Sequence, residues 1–339
     1  METPPALAGL PVEEGARRLA LWHFDALKVA RGRLRDSSDP EALHDYRVAL
    51  RRLRSCLRAY PKELGPKDSR TNRRALTRLA RGTNESRDLE VHLGWLAEQR
   101  DAGSEADRAG ILWLIERLSE AKRRKRDELL GLDEKLFPEI EARLSQQLSH
   151  LPSPGRLDGS VRRSTAAVTV RRARKAARRL HRRLGRIRGY SSETEIHRAR
   201  IAAKHLRYLL EPFAPDLPGG DATVARLKSL QDGLGEVHDA QVLAGKLRGM
   251  PDRARAAGRA EVVGGLRALL VAVRARGRKA FEKSASELRY DFLLGDARNI
   301  SAATLSAAAG SSAKNRSGSI SSSSITRKRP PTSQPSTRA

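Results

Sequence analysis

Along residues 41–60, EALHDYRVALRRLRSCLRAY, apolar side chains fall at Leu43, Tyr46, Leu50, Leu53 and Leu57. Their spacing by three and four gathers them on one stripe of an α-helix. One position further on, His44, Arg47, Arg51, Arg54 and Arg58 form a second, cationic stripe, turned about 100° from the first. The pattern returns at 194–213, TEIHRARIAAKHLRYLLEPF. There Ile196, Ala199, Ala203, Leu206, Leu210 and Phe213 are the apolar set, and His197, Arg200, Lys204 and Arg207 line the flank, with Glu211 where the first copy has Arg58. Cys56 of the first copy lies opposite Leu209 of the second, a position that suits core packing.

Helical periodicity also runs through 11–35, with Leu19, Trp22, Leu27 and Leu34, and from Asp68 past Leu96, where Gly82-Thr83-Asn84 marks a possible kink. Two further helices are expected at 105–130 and 133–149, followed by a linker at Leu151-Pro152-Ser153-Pro154-Gly155. The second half then restarts with a strongly basic helix over 160–188 and a turn cluster from Pro212 to Gly220 that matches Pro61 to Pro66. LKSLQDGLGEVHDAQVL at 227–243 overlays LTRLARGTNESRDLEVH at 76–92, pairing Gly82 with Gly233 and Asp88 with Asp239. No stretch alternates as a strand does, so the expected class is all-α: two pseudo-symmetric bundles of about five helices each, from an internal duplication. The expected limits are a 1–9 extension, a domain over 10–300 with repeats at 10–151 and 160–297, and a disordered tail over 301–339, which is rich in Ser, basic and without Asp or Glu.

Charge changes what the stripes mean. Lys and Arg total 67 against 40 Asp and Glu, a net +27, which implies a polyanionic partner. Like charges on one helix stripe repel by about 0.2–0.5 kcal/mol per close pair. Solvation alone gives two helices no reason to share His, Arg, a basic residue and Arg at the same spacing, whereas a polyanion would supply the missing countercharge. A lone cysteine, Cys56, excludes an internal disulfide and fits a reducing compartment. The start of the chain reads as neither a secretory leader nor an anchor, and the most apolar run, Val262 to Val273, is too short to cross a bilayer and holds Arg267. A soluble cytoplasmic protein is the expectation.

Three segments carry a resemblance. HDYRVALRRLR, with His44, Arg47, Arg51, Arg52, Leu53 and Arg54, HRARIAAKHLRYLLE, with His197, Arg200, Lys204, Leu206, Arg207 and Tyr208, and LQDGLGEVHDAQV, with Gln231, Leu234, Gly235 and Asp239, together resemble the CHAD domain, the conserved histidine α-helical domain. The resemblance spans roughly 10 to 297. It implies two helical bundles around a basic central cleft that binds inorganic polyphosphate, with association with polyphosphate granules a consequence. The expected ligand set is His44, Arg47, Arg51, Arg52, Arg54, Arg58, Arg78, Arg81, Arg87, His197, Arg200, Lys204, Arg207 and Lys228, supported by Asp88, Tyr208 and Asp239. The chain departs from the pattern twice: Thr83-Asn84 stands where the second copy has Leu234-Gly235, and His238 stands where the first copy has Arg87. Such domains are often fused to a catalytic CYTH domain with an ExExK strand, but the nearest string here, Glu139-Ile140-Glu141-Ala142-Arg143, sits in a helical pattern where alternate residues do not share a face.

Arginine forks and mobile lysine ammonium groups suit a flexible chain of phosphates, which offers no base edges to read. A non-enzymatic binder with no metal and no cofactor is therefore expected, its oligomeric state open. The alternative from another binding class is nucleic acid. Any protein this basic holds DNA weakly at low salt, yet aromatics make up 4% of the chain, leaving few stacking platforms. A remote enzymatic alternative, an HD-type metal-dependent phosphohydrolase, starts from His44-Asp45 and His238-Asp239, but these lie in positive helices that repel a divalent cation.

Overall fold

The computed structural model describes residues 6–102, 105–149 and 163–285. Among them the regular structure is helical: α1 (Val12–Arg33), α2 (Ala42–Ala59), α3 (Pro66–Ala102), α4 (Glu105–Ser149), α5 (Thr165–Leu184), α6 (Glu193–Leu210), α7 (Gly220–Leu247), α8 (Met250–Ala256) and α9 (Val263–Ala285), with short 3-10 turns at Glu211–Asp216 and Ala260–Val262. The all-α class is as expected. The first half holds four helices where about five were expected, because 105–149 is one continuous helix that runs through Gly131 and Pro138. Proline inside a helix costs about 3 kcal/mol. Burial of Leu129, Leu136, Phe137, Ile140, Leu144 and Leu148 along one side, each side chain contributing roughly 1.5–3 kcal/mol, offsets that cost. Likewise α3 continues through Gly82-Thr83-Asn84.

The apolar stripes do what their spacing requires. Leu43, Tyr46, Leu50, Leu53 and Leu57 of α2 are buried, as are Ile196, Ala199, Ala203, Leu206 and Leu210 of α6 and Phe213 beyond it. Cys56 is buried among them, its thiol pushed well above its ordinary pKa by desolvation. The largest core joins both halves through α1, α2, α5, α6 and the adjoining parts of α3, α4 and α7. A second, separate core forms where the far parts of α3 and α4 meet α7, α8 and α9. Across the join α1 touches α5, α2 touches α6, α3 touches α7 and α4 touches α9.

The fold begins before residue 10. Leu7 is buried in the main core, the Val12 amide donates to the Arg163 carbonyl at 3.1 Å, and the Thr165 and Ala166 amides donate to the Leu10 and Ala8 carbonyls at 2.8 and 3.1 Å. The expected tail over 301–339, the linker at 151–155 and the end of the second repeat at 297 lie outside the described residues.

Candidate functional site

Where α2 and α6 meet, their second stripes turn toward α3 and α7 and wall a cleft of about 350 Å³. Arg47, Arg51, Arg54 and Arg58 come from α2, His197, Arg200, Lys204, His205 and Tyr208 from α6, Thr83, Asn84 and Asp88 from α3, and His238 and Asp239 from α7. Six Arg and Lys side chains thus face two carboxylates. None of the six makes a salt bridge with a carboxylate among the described residues.

At the first departure between the copies, Thr83-Asn84 for Leu234-Gly235, the cleft's two corresponding arginines are held differently. Arg47 donates through Nη1 to the Thr83 carbonyl, to Thr83 Oγ1 at 2.7 Å and, more loosely, to Asn84 Oδ1 at 3.5 Å. Its counterpart Arg200 makes no such hydrogen bonds among the described residues and lies along α7 at Gly235, where a Cβ would make only ordinary van der Waals contact with Arg200 Nε, at 3.6 Å. Tyr208 forms part of the wall, with Arg51 and Arg207 over its ring at 5.4 and 4.7 Å and Arg207 Nη2 donating to its hydroxyl at 2.9 Å.

Crowding and burial shift the protonation equilibria in one sense. Lys204 is pushed down to about 6, by desolvation first and then by Arg200, Arg51 and Arg47, against a weaker pull from Asp239. Desolvation and neighbouring arginines also lower Arg47 and Arg54 to about 10. His238 falls to about 4 from burial, then Arg200, and His197, whose ring is 4.8 Å from that of His238, is lowered for the same two reasons. Asp88 and Asp239 are raised by burial despite their cationic neighbours. Every one of these shifts penalises the charged form. The protein therefore leaves the cleft's charge under-compensated, and four buried guanidinium Nε atoms, those of Arg51, Arg54, Arg200 and Arg207, lack any hydrogen-bond partner. An unpaired buried donor costs about 1–3 kcal/mol, and oxygens of a bound anion are the acceptors that would relieve it.

Of the residues expected from sequence, the structure brings Arg47, Arg51, Arg54, Arg58, His197, Arg200, Lys204, Tyr208, Asp88 and Asp239 together. Arg207 stands just behind, against Tyr208. His44 is half-buried but outside the cleft wall, and Arg78, Arg81 and Lys228 are exposed outside it. Arg87 pairs with Glu90 at 3.3 Å. Arg52 is turned away altogether: its Nη2 meets Glu211 Oε1 at 2.6 Å. Neither Asp88 nor Asp239 forms a hydrogen bond to an arginine among those described.

His205 is the wall residue that the repeat hides, because it corresponds to Arg52. Arg58 donates to its ring, with Nδ1 at 3.2 Å, so the imidazole acts as a neutral acceptor. Burial first, then Arg58 and Arg179, pushes it down to about 3. Arg52 with Glu211 and His205 with Arg58 are reciprocal contacts, since Glu211 corresponds to Arg58. Among the described residues no group of His, Cys, Asp and Glu is arranged to hold a metal ion, and no helix is long and apolar enough to cross a membrane.

The family model for the CHAD domain matches residues 18–248 of the chain. Solved structures share the fold, two of them as follows. The crystal structure of the CHAD domain from the plant Ricinus communis aligns with a TM-score of 0.61 and 23% identity, over 81% of this chain and 95% of that one. PptA from Streptomyces chartreusis aligns with a TM-score of 0.59 and 20% identity, over 80% of this chain and 100% of that one. A search of curated protein sequences gave no match.

Proposed function

The chain belongs to the CHAD domain family, a family associated with inorganic polyphosphate, and we propose that it binds this polymer in the cleft between α2 and α6 without catalysing a reaction. The observation that carries the reading is the set of four partnerless Nε donors, on Arg51, Arg54, Arg200 and Arg207, in and beside a wall whose six Arg and Lys side chains form no salt bridge among the described residues. Forks at fixed angles suit the tetrahedral oxygens of successive phosphates, and Lys204 adds a mobile point charge. His197 and His238 donate as neutral rings or gain charge once phosphates surround them. A cytoplasmic location and residence on polyphosphate granules follow from this reading.

A single-stranded nucleic acid would require exposed rings to stack on. Trp95 and Trp113 are buried in the second core, and Tyr208, the cleft's one aromatic apart from its histidines, is buried beneath two guanidinium groups. The reading is tested by competing polyphosphate against duplex DNA, matched in total phosphate, at physiological salt. Polyphosphate is expected to displace the duplex at substoichiometric amounts. Equal competition would mean that attraction is generic and would refute a dedicated cleft.

A further inference from the structure

Behind the cleft lies a larger cavity, of about 680 Å³, which the reading above leaves unused. Its wall is the basic helix α5 and the turn after it, facing the C-terminal end of α2. Lys175, Arg179, Arg182 and Arg186 enter it from one side, and Arg58 and Lys62 from the other, over a floor that includes Ala176, Ala202 and Leu209. On α5, Lys175, Arg179 and Arg182 repeat by four and three, so they share one face, with Arg186 just beyond the helix, and opposite them Val170, Ala173, Ala177, Leu180 and Leu184 are buried. Two more arginines of the wall, Arg172 and Arg183, are spoken for by Glu63 at 2.7 Å and Glu195 at 3.5 Å. The other six cations form no salt bridge among the described residues, and no carboxylate lines the cavity.

The two cavities share part of their wall. Ser55, Arg58 and His205 belong to both. Because His205 is a neutral acceptor for Arg58, the divide between them carries Arg58's positive charge and no negative one. A polyanion leaving the cleft past Arg54 therefore meets Arg58 and then the α5 face without crossing a carboxylate. From Arg172 to Arg183 that face extends roughly 16 Å along the helix axis. A duplex is too stiff and broad to follow such a recess, whereas a thread of phosphates can enter it.

We propose that the cavity along α5 is a second polyphosphate subsite, continuous with the cleft through Arg58 and His205, so that long chains occupy both and short chains occupy the cleft alone. The inference rests on polyphosphate being the cleft's ligand. It assigns to α5 the discrimination of chain length, a property that the cleft by itself does not supply.

The test compares tripolyphosphate with long-chain polyphosphate on the full chain, using wild type, an Arg179→Gln/Arg182→Gln variant and an Arg51→Gln/Arg54→Gln variant, each checked by circular dichroism and melting temperature. For the α5 variant, long-chain affinity should fall by about tenfold or more. Its salt slope should become shallower by about 1.4, two contacts at roughly 0.7 each for a single-stranded polyanion, with tripolyphosphate affinity unchanged. The cleft variant should lose both ligands. If the α5 variant keeps long-chain affinity and slope while the cleft variant loses them, the second subsite is refuted and the cleft stands. If wild type binds neither phosphate polymer in preference to DNA, both readings fall. An α5 variant that loses only duplex DNA would also overturn the proposal, by assigning the helix to nucleic acid. Should Arg179→Gln/Arg182→Gln fold poorly, Lys62→Gln/Lys175→Gln tests the same cavity from exposed positions with the same expected split.

Discussion

Binding of polyphosphate should take up a proton at Lys204, and its affinity should fall as pH rises. In the free cleft the ammonium is pushed down to about 6, against an ordinary 10.5, by burial and by Arg200, Arg51 and Arg47. At pH 7.5 such a group is charged in about 3% of molecules, and charging it costs about 2 kcal/mol, at about 1.36 kcal/mol per pH unit. Phosphate oxygens placed beside it reverse the balance and carry its pKa upward. The free pKa is low and the bound pKa high, so the full benefit is present below about pH 6. Above that, log K falls with a slope approaching one per pH unit, until the bound pKa is reached. Between pH 6.5 and 8.5 the affinity for long-chain polyphosphate should drop by up to about a hundredfold, with most of the fall assigned to this one side chain. In Lys204→Arg the charge cannot be shed, so that variant should hold a nearly flat profile and bind more tightly than wild type at pH 8.5. Isothermal titration at pH 7.5 in two buffers of different ionisation enthalpy reads the uptake directly: close to one proton for wild type, near zero for Lys204→Arg. A flat wild-type profile with buffer-independent heats would refute the reasoning.

Four further outcomes are expected. At pH 6.5, where Lys204 contributes more charge, Arg51→Gln/Lys204→Gln should lower polyphosphate affinity by about two orders of magnitude, at roughly 1.5–3 kcal/mol per charge-assisted contact. Arg327→Gln/Lys328→Gln removes the same formal charge from the tail and should change little, as titration at two salt concentrations would show. Polyphosphate at a hundred times its Kd should stabilise the native state by about 2.7 kcal/mol and raise the melting temperature, and orthophosphate at equal phosphorus should do far less. Thr83→Val removes a hydroxyl that holds Arg47; it should cost about 1 kcal/mol in denaturant melts and weaken polyphosphate binding several-fold. Tyr46→Phe leaves buried Asp133 with Arg31 alone, at 2.6 Å; it should destabilise the fold by about 1–3 kcal/mol while polyphosphate affinity in the folded protein stays the same.

The helix faces were legible because burial imposes a period, and a period survives in one dimension. Leu43 to Leu57 and Ile196 to Phe213 declare their buried sides without any knowledge of what packs there. Continuity was less legible. The break at Gly131 argues for two helices at 105–149, and only the long apolar contact of α4 with its neighbours, a tertiary effect, overrides it. The site was legible to the extent that it lies on the second stripe. Arg47, Arg51, Arg54, Arg200 and Lys204 follow it into the cleft. His44, one turn earlier than Arg47, does not, because the wall is set by where α2 meets α3, α6 and α7, and a stripe does not encode how far that meeting extends.

Matched positions also do not mean matched chemistry, and here the difference is informative. Arg52 and His205 correspond, yet the first is neutralised by Glu211 and the second is an uncharged acceptor for Arg58. Position by position, charge is withdrawn on the Arg52 side and left exposed on the Arg58 side, where the cleft shares wall residues with the α5 cavity. Arg51 and Lys204 also correspond, and both are buried among arginines. Guanidinium delocalises its charge and keeps its proton under that pressure, whereas an ammonium releases it. An arginine at 204 would have to hold another fixed charge beside Arg200 and Arg47 in the free protein; a lysine can stay neutral until an anion arrives. On the proposed reading, the asymmetry at this single pair lowers the electrostatic cost of the ligand-free cleft and makes a proton part of what the site would bind.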